Sequence, residues 1–198
     1  VLANVGGNAH VYAQTWDTTW QAAVDVTGPF DAGAGNAVQD FRPPIAALEG
    51  SNDAMIVFVR TVDFKLMSVT HSAGGWATPL MVDANAYLGG VGPFYPPTLI
   101  GTPGGHAVLA WRGSDGKAYF SLFNGATWSP PAPFLTPNPA IDSYPALAKG
   151  VCGADAVGAY VEGGGALKLV RLTGTTWSAP VTVPGAGGLT SVAIATRP

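Results

Sequence analysis

The sequence predicts an all-β protein made of repeated antiparallel sheets, and two observations support this prediction. A nineteen-residue stretch occurs three times in altered form: FVRTVDFKLMSVTHSAGGW at Phe58 to Trp76, AWRGSDGKAYFSLFNGATW at Ala110 to Trp128, and AYVEGGGALKLVRLTGTTW at Ala159 to Trp177. Turn residues punctuate the chain at intervals of roughly ten residues, and no window has the apolar spacing of a helix. Self-similarity with a period near fifty residues indicates a stacked-repeat architecture.

The second repeat shows the predicted order of strands. It opens with PPIAAL at Pro43, continues with the apolar run DAMIVFVR from Asp53 to Arg60, and turns into a third strand over residues 65–70. Trp76 then begins a short fourth strand, WATPLMV. Later repeats open in the same way, with PPTLIG at Pro96 and YPALAKG at Tyr144. Each repeat is therefore predicted to be a four-stranded antiparallel sheet.

Tandem sheets of this size predict a β-propeller of four blades within a single domain spanning residues 1–198. Three blades cover residues 43–83, 96–135 and 144–184, and a composite fourth blade combines residues 1–26 with residues 188–198. In this blade the segment from Leu189 to Ala195 is expected to be the innermost strand and to pair with the N-terminal segment. Closure within one chain favours a monomer, although two chains could instead exchange this strand and form an eight-bladed ring.

Composition limits the classes of partner. Only 11% of the residues are charged, whereas glycine and proline number 27 and 17, as expected for tight turns and covered sheet faces. A net charge of −3 and a pI near 5.4 disfavour nucleic-acid binding. No apolar run approaches the roughly 18 residues that a membrane-spanning helix needs, so we expect no membrane insertion.

The string FVRTVDFKL, followed by a glycine turn and Trp76, resembles the repeat of bacterial β-propeller lectins of the Photorhabdus lectin type. It is also similar to the wider group of propellers related to fucose-binding lectins. Residues 43–82 match this repeat best, and the third and fourth repeats match it partially. The resemblance implies a propeller fold and glycans or glycoconjugates as partners. Lectins of this group have six or seven blades, whereas this chain is predicted to have four.

Candidate ligand-binding residues gather on one face of the predicted propeller. Strand direction reverses at every step, so the turns between second and third strands emerge on the same face as the long connections between blades. Aromatic rings beside fixed polar groups suit the apolar face and the hydroxyl edges of a sugar. The predicted ligand-binding residues are Arg60, Asp63, Tyr87, Tyr95, Arg112, Asp115, Tyr144 and Glu162.

The arginine and aspartate pairs also have a purely structural explanation. Arg60 and Asp63 flank a tight turn, where an ion pair or an aspartate that accepts turn N–H groups would account for their spacing. The repeated tryptophans Trp76, Trp128 and Trp177 are expected to pack between blades.

Nothing in the sequence marks a catalytic site, so we expect no enzyme activity, no metal and no cofactor. His10, His71 and His106 fall at unrelated places in the repeats and show no zinc-ligand pairing. No glycine loop for phosphate and no nucleophile elbow is visible. No particular pair of carboxylates is singled out for glycosidase chemistry.

Two interpretations of function therefore remain, and a third is disfavoured. The first is a secreted or cell-surface lectin with similar weak sites repeated between blades, which gains strength through multivalency. The second is a non-catalytic interaction or structural module of a larger secreted or surface protein. A sialidase-like glycosidase is disfavoured because it would need an arginine cluster, and two of the five arginines lie in the repeated turns.

Overall fold

The computed structural model describes residues 2–5, 8–27, 44–50, 53–60, 63–83 and 96–196. These residues form β-strands, turns and irregular segments, and no helix occurs among them. The prediction of an all-β, antiparallel protein is therefore confirmed for the part of the chain that is described. Apart from one two-stranded hairpin, the strands form four successive sheets, which we number I to IV in chain order.

Sheet I is formed by the N-terminal residues and has three short strands. Its order is β1-β2-β5, and a separate two-stranded hairpin of β3 and β4 lies between β2 and β5 in the sequence. The strands are β1 (Leu2–Val5), β2 (Asn8–Ala13), β3 (Trp16–Asp17), β4 (Thr19–Trp20) and β5 (Val24–Asp25). A hydrogen bond from Val26 N to Val11 O matches one from Val82 N to Leu66 O in sheet II. By this match β2 corresponds to the third strand of a complete sheet.

Sheets II, III and IV are complete antiparallel sheets in which four consecutive segments pair in order. Sheet II contains β6 (Ile45–Leu48), β7 (Asp53–Val59), β8 (Leu66–Ser72), β9 (Gly75–Trp76) and β10 (Leu80–Met81). Sheet III contains β11 (Thr98–Thr102), β12 (His106–Arg112), β13 (Ala118–Phe123) and β14 (Ala132–Pro133). Sheet IV contains β15 (Ala146–Lys149), β16 (Ala156–Glu162), β17 (Ala166–Thr173), β18 (Thr176–Trp177) and β19 (Val181–Thr182).

The core lies between neighbouring sheets. One cluster joins sheets I and II around Val11 and Phe58, and a second joins sheets II and III around Val57 and Trp111. Further clusters join sheets III and IV, with Tyr160 buried at this contact. Each complete sheet thus offers apolar side chains on both faces, which explains why β7, β12 and β16 are nearly continuous apolar runs.

The first strands of sheets II and III approach each other closely, and glycine permits this. A Cβ atom at Gly101 would lie 1.8 Å from the carbonyl oxygen of Ala47, so no larger residue fits there without movement of the backbone. At the ends of the first strands, Lys149 Nζ lies 2.6 Å from Glu49 Oε1, an ion pair between sheets IV and II. The first strands therefore form the tightly packed inner part of the structure.

The predicted closure of a four-bladed ring is not formed by the described residues. The segment from Leu189 to Ala195, expected to be an innermost strand, is in no ladder. It lies instead against sheet IV, because Leu189 N donates to Gly165 O at 3.2 Å and Thr196 Oγ1 donates to Lys149 O at 2.8 Å. Sheets I and IV are the two outer members of the row, and no strand pairing between described residues joins them.

Candidate functional site

The turn of sheet II that holds Arg60 and Asp63 is organised by their ion pair. Arg60 Nε lies 2.9 Å from Asp63 Oδ1, and a second guanidinium nitrogen lies 2.5 Å from Oδ2. This bidentate hydrogen bonding holds the pKa of Asp63 below its ordinary value and raises the pKa of Arg60. Lys65 N also donates to Asp63 Oδ1 at 3.3 Å. Both side chains therefore stabilise the turn, whatever further role they have.

The corresponding turn of sheet III uses its predicted residues differently. Arg112 Nε donates to the carbonyl oxygen of Ile141 at 2.9 Å, in the connection that leads to sheet IV. Asp115 accepts hydrogen bonds from Lys117 N at 3.1 Å and from the Tyr119 hydroxyl at 2.8 Å. Asp63 and Asp115 thus share one role, since each accepts the N–H of the lysine two residues later.

The two arginines are not structurally equivalent, although both stand third in the nineteen-residue stretch that recurs in the sequence. Arg112 pairs with Ala118, whereas in sheet II it is Val59 that pairs with Leu66. Arg60 lies one residue beyond Val59, because the turn of sheet II holds one residue more between its ladder ends. Successive side chains of a strand point to opposite faces, so the two guanidinium groups leave their sheets on opposite sides.

The remaining predicted residues lie at this same end of the sheets or outside the described residues. Glu162 Oε2 lies 3.0 Å from Lys168 Nζ, in the equivalent turn of sheet IV. Tyr144 is half-buried before β15, and its carbonyl oxygen accepts the Ser143 hydroxyl. Tyr87 and Tyr95 are among the residues that the structure does not describe. A ligand-binding role for this set stays a prediction.

A cleft of about 560 Å³ opens between sheets III and IV, at the end of the sheets opposite these turns. Such a volume suits a small organic ligand. The lining residues come from the start of β12, the turn after β13 and the facing turns of sheet IV. The polar and aromatic members are Thr102, His106, Phe123, Asn124, Thr127, Trp128, Ser129, Asp155 and Thr175.

Three polar side chains of the cleft have hydrogen-bonding groups that could contact a ligand. Asn124 Oδ1 accepts the N–H groups of Ala126 and Thr127, at 3.0 and 2.9 Å, which leaves its NH₂ group as a donor for a ligand. Asp155 Oδ2 accepts the N–H of Gly174 at 2.7 Å, so Oδ1 remains as an acceptor. The exposed His106 imidazole makes no hydrogen bond to any described residue.

Sequence reasoning missed this cleft, although a repeated signal pointed to it. Ala54, Ala107 and Ala156 pair with equivalent residues of the third strands, and a titratable residue precedes each alanine. These titratable residues are Asp53, His106 and Asp155. The pattern of a polar residue, alanine and an apolar run therefore recurs at the end of the sheets where the tryptophan turns lie.

No group of three or more His, Cys, Asp or Glu side chains in the described ranges is placed to hold a metal ion. The described part of the chain also contains no helix long and apolar enough to cross a membrane.

No protein-family model matches the sequence, and no curated protein matches it. The fold is similar to that of a fungal lectin from Aleuria aurantia, whose crystal structure is described as a six-bladed β-propeller with a novel mode of fucose recognition. The match has 17% identity and a TM-score of 0.60, and it covers 93% of this chain and 55% of the lectin. A mutant of that lectin with alpha-methyl-L-fucoside matches at 16% identity and a TM-score of 0.60, over 90% of this chain and 53% of the other.

A further structure, described as the fucose-specific lectin from Aleuria aurantia, gives 15% identity and a TM-score of 0.59, over 90% of this chain and 54% of the other. The chain spans about half the length of these lectins. At such identities the likeness shows the fold alone. The four sheets therefore have the arrangement of successive blades in a β-propeller.

Proposed function

We propose that this chain is a non-catalytic, carbohydrate-binding propeller whose sites lie between neighbouring sheets. The observation that carries the proposal is the cleft between sheets III and IV, where an aromatic ring and several polar side chains line about 560 Å³. Pyranose sugars have apolar faces and hydroxyl edges, and they are bound where aromatic platforms stand beside hydrogen-bonding groups. Support at the level of the fold comes from the fucose-binding lectins that share it.

The cleft supplies both types of hydrogen-bonding partner that a sugar hydroxyl needs. Asn124 offers N–H donors, Asp155 offers a carboxylate acceptor, and the imidazole of His106 offers one of each when neutral. Trp128 supplies the apolar surface, and its indole is fixed because Nε1 donates to Ser68 Oγ at 2.8 Å. A ligand would meet groups that are already in place, which lowers the entropic cost of binding.

We further propose that such sites repeat between the sheets and that each is weak. The polar positions Asp53, His106 and Asp155 and the turn tryptophans recur in the same register, but their side chains differ from one sheet to the next. Unequal sites of modest affinity gain strength on a multivalent glycan surface. We propose a secreted or cell-surface location, where such glycans occur.

The sequence-predicted turn face is the second candidate location within the same function. Its arginines and carboxylates are charged and grouped at one end of sheets II to IV, which suits recognition of sugar hydroxyls. Its described members are however engaged in turn-stabilising contacts, such as the Arg60–Asp63 pair. The cleft is favoured because the NH₂ group of Asn124 and Oδ1 of Asp155 remain available to a ligand.

A glycan array tests the proposed function. The labelled chain is applied to an array that includes fucosylated and non-fucosylated glycans, beside the variant in which both His106 and Asp155 are replaced (His106→Ala, Asp155→Asn). We expect binding to one class of glycan and a weaker signal from the variant. Asp115→Asn is the matched control, because Asp115 is also exposed and also accepts a backbone N–H. Absence of binding to every glycan would reject the proposal and leave the interaction module.

A further inference from the structure

Two tryptophan rings of sheet I are exposed beside each other. Trp16 and Trp20 lie on the β3–β4 hairpin with 61% and 66% of their surface exposed, and their ring centroids are 5.3 Å apart in an edge-to-face arrangement. Exposed apolar pairs of this size are unusual on a folded chain and mark interaction surfaces. The repeat itself indicates what this surface contacts.

The same pair of positions exists in every sheet. Trp16 is the cross-strand partner of Trp20, and the equivalent partners are His71 with Trp76, Phe123 with Trp128, and Leu172 with Trp177. One backbone hydrogen bond fixes this register in all four sheets, from the residue after the tryptophan to the third strand. It joins Gln21 N to Thr15 O, Ala77 N to Thr70 O, Ser129 N to Leu122 O, and Ser178 N to Arg171 O.

In sheets II, III and IV this pair packs against the preceding sheet. Trp76 lies in the core cluster that joins sheets I and II, and Trp128 donates its indole N–H to Ser68 of sheet II. Trp177 meets Phe120 of sheet III edge to face at 5.8 Å. The partner residues of sheets III and IV are buried as a result, since Phe123 is 6% exposed and Leu172 is 1% exposed, whereas His71 of sheet II is half-buried. Sheet I has no preceding sheet among the described residues, and only there is the pair largely exposed.

The complementary surface is found on the last sheet. In each sheet, one residue of the third strand lies where the tryptophan of the next sheet packs, and we call it the acceptor position. This residue pairs with the fourth strand. It is Ala13, Ser68, Phe120 and Leu169 in sheets I to IV. The first three are buried, whereas Leu169 is only half-buried. Leu167 is also half-buried, although its equivalents in the other sheets are buried. Sheet IV therefore presents an acceptor surface that no tryptophan pair of the described residues covers.

We propose that the Trp16–Trp20 pair of one copy of this chain packs on the acceptor surface of sheet IV, Leu167 and Leu169, of a second copy. This contact would repeat the joint that is formed three times within the chain, in which the tryptophan of one sheet packs on the acceptor position of the preceding sheet. A tryptophan pair is therefore the natural occupant of the acceptor surface of sheet IV. Such head-to-tail contacts close into a ring or extend, according to the rotation between copies. The association does not depend on sugar binding, so it stands or falls separately from the proposed function.

Sedimentation velocity of the 198-residue chain without sugar tests this contact, over a concentration range of about 1 to 100 µM. We expect the mass to rise with concentration to at least twice that of one chain. Trp20→Asp and Trp16→Asp change exposed positions, so both variants should fold and remain monomeric. Leu80→Asp is the matched control. Leu80 is also an exposed apolar residue, and it stays exposed although sheets II and III are already packed together, so it is not part of a joint. It should assemble like the wild type.

Mixing two variants distinguishes head-to-tail contact from any symmetric one. Trp20→Asp and Leu169→Asp should each be monomeric alone, but an equimolar mixture should form a heterodimer, because each supplies the half that the other lacks. A thermal melt checks that Leu169→Asp is folded, and the Trp20 and Trp16 variants test the contact without it. A wild type that stays monomeric at all concentrations would overturn the proposal. Unchanged assembly of Trp20→Asp, or a mixture of folded variants that stays monomeric, would do the same.

Discussion

At the residue scale, the side chain at the acceptor position decides what the tryptophan of the next sheet contacts. Ser68 gives Trp128 a hydrogen-bond acceptor, whereas Phe120 offers Trp177 only a ring edge. The indole nitrogen of Trp177 is consequently buried without a hydrogen-bond partner among the described residues. Such a group costs free energy, which the packing of Trp177 against Phe134 offsets. The residue at the acceptor position therefore makes the stabilising free energy of the joint between sheets II and III differ from that of the joint between sheets III and IV.

Tyr160 provides a residue-scale prediction about stability and pH. Its hydroxyl is buried and has no hydrogen-bond partner among the described residues. Burial, with the nearby charge of Glu162, raises the pKa of Tyr160 to about 12. The unfolded chain loses this proton near pH 10, so the wild type should lose stability as the pH rises from about 10 to 12.

Tyr160→Phe should therefore raise the free energy of unfolding by about 1 kcal/mol at pH 7, since it removes a buried group that lost its hydrogen bonds to water. The advantage of the variant over the wild type should grow between about pH 10 and 12. Urea denaturation across this pH range measures both effects. A variant that is less stable at pH 7 would show that the hydroxyl has a hydrogen-bond partner in the folded protein.

At the element scale, the sheet and its turn tryptophan form the repeating unit, and the joint between units determines how much each tryptophan contributes. Trp128→Ala should lower the free energy of unfolding by roughly 3–5 kcal/mol, because it removes a ring packed on Phe123 and leaves Ser68 without its donor. Trp20→Ala is the matched control at the same position of sheet I. In dilute solution it should change stability by no more than about 0.5 kcal/mol. Equal losses in the two variants would contradict this account of the joint.

The order of strands within a unit could be predicted from the sequence because apolar runs and turn residues alternate there at short range. The first strands at PPIAAL, PPTLIG and YPALAKG were all found, as β6, β11 and β15. The register of Arg60 and Arg112 could not be predicted. Both arginines stand at the same place in the recurring stretch, but the turn that follows is one residue longer in sheet II than in sheet III. Hydrogen bonding, not sequence spacing, determines where a ladder ends.

The cleft was missed for a related reason. Sequence reasoning weighed aromatic residues of the long connections, where function usually resides, and several of these, including Tyr87 and Tyr95, lie outside the described residues. His106 and Asp155 were passed over because a histidine and an aspartate do not look like one repeated position. Their equivalence follows from the ladders, in which Ala107 and Ala156 pair with equivalent residues of the third strands.

At the scale of the whole molecule, the repeats in the sequence do not determine how the units are arranged. Counting repeats leaves open the rotation between neighbouring sheets, which depends on side-chain packing in each joint. The three complete sheets and sheet I form a row, and residues 189–196 lie against sheet IV instead of reaching sheet I. The uncovered tryptophan pair at one end of this row and the acceptor surface at the other follow from the same arrangement.

We propose that sugar binds between sheets, at the end that bears the tryptophan turns. Isothermal titration with the best monovalent sugar from the array tests it most directly, in the wild type, in the His106→Ala and Asp155→Asn double variant, and in Asp115→Asn. We expect one binding site fewer per chain in the double variant and an unchanged number in Asp115→Asn. An unchanged number in the double variant, together with loss of a site in Asp115→Asn, would place the ligand on the opposite turn face and contradict the claim.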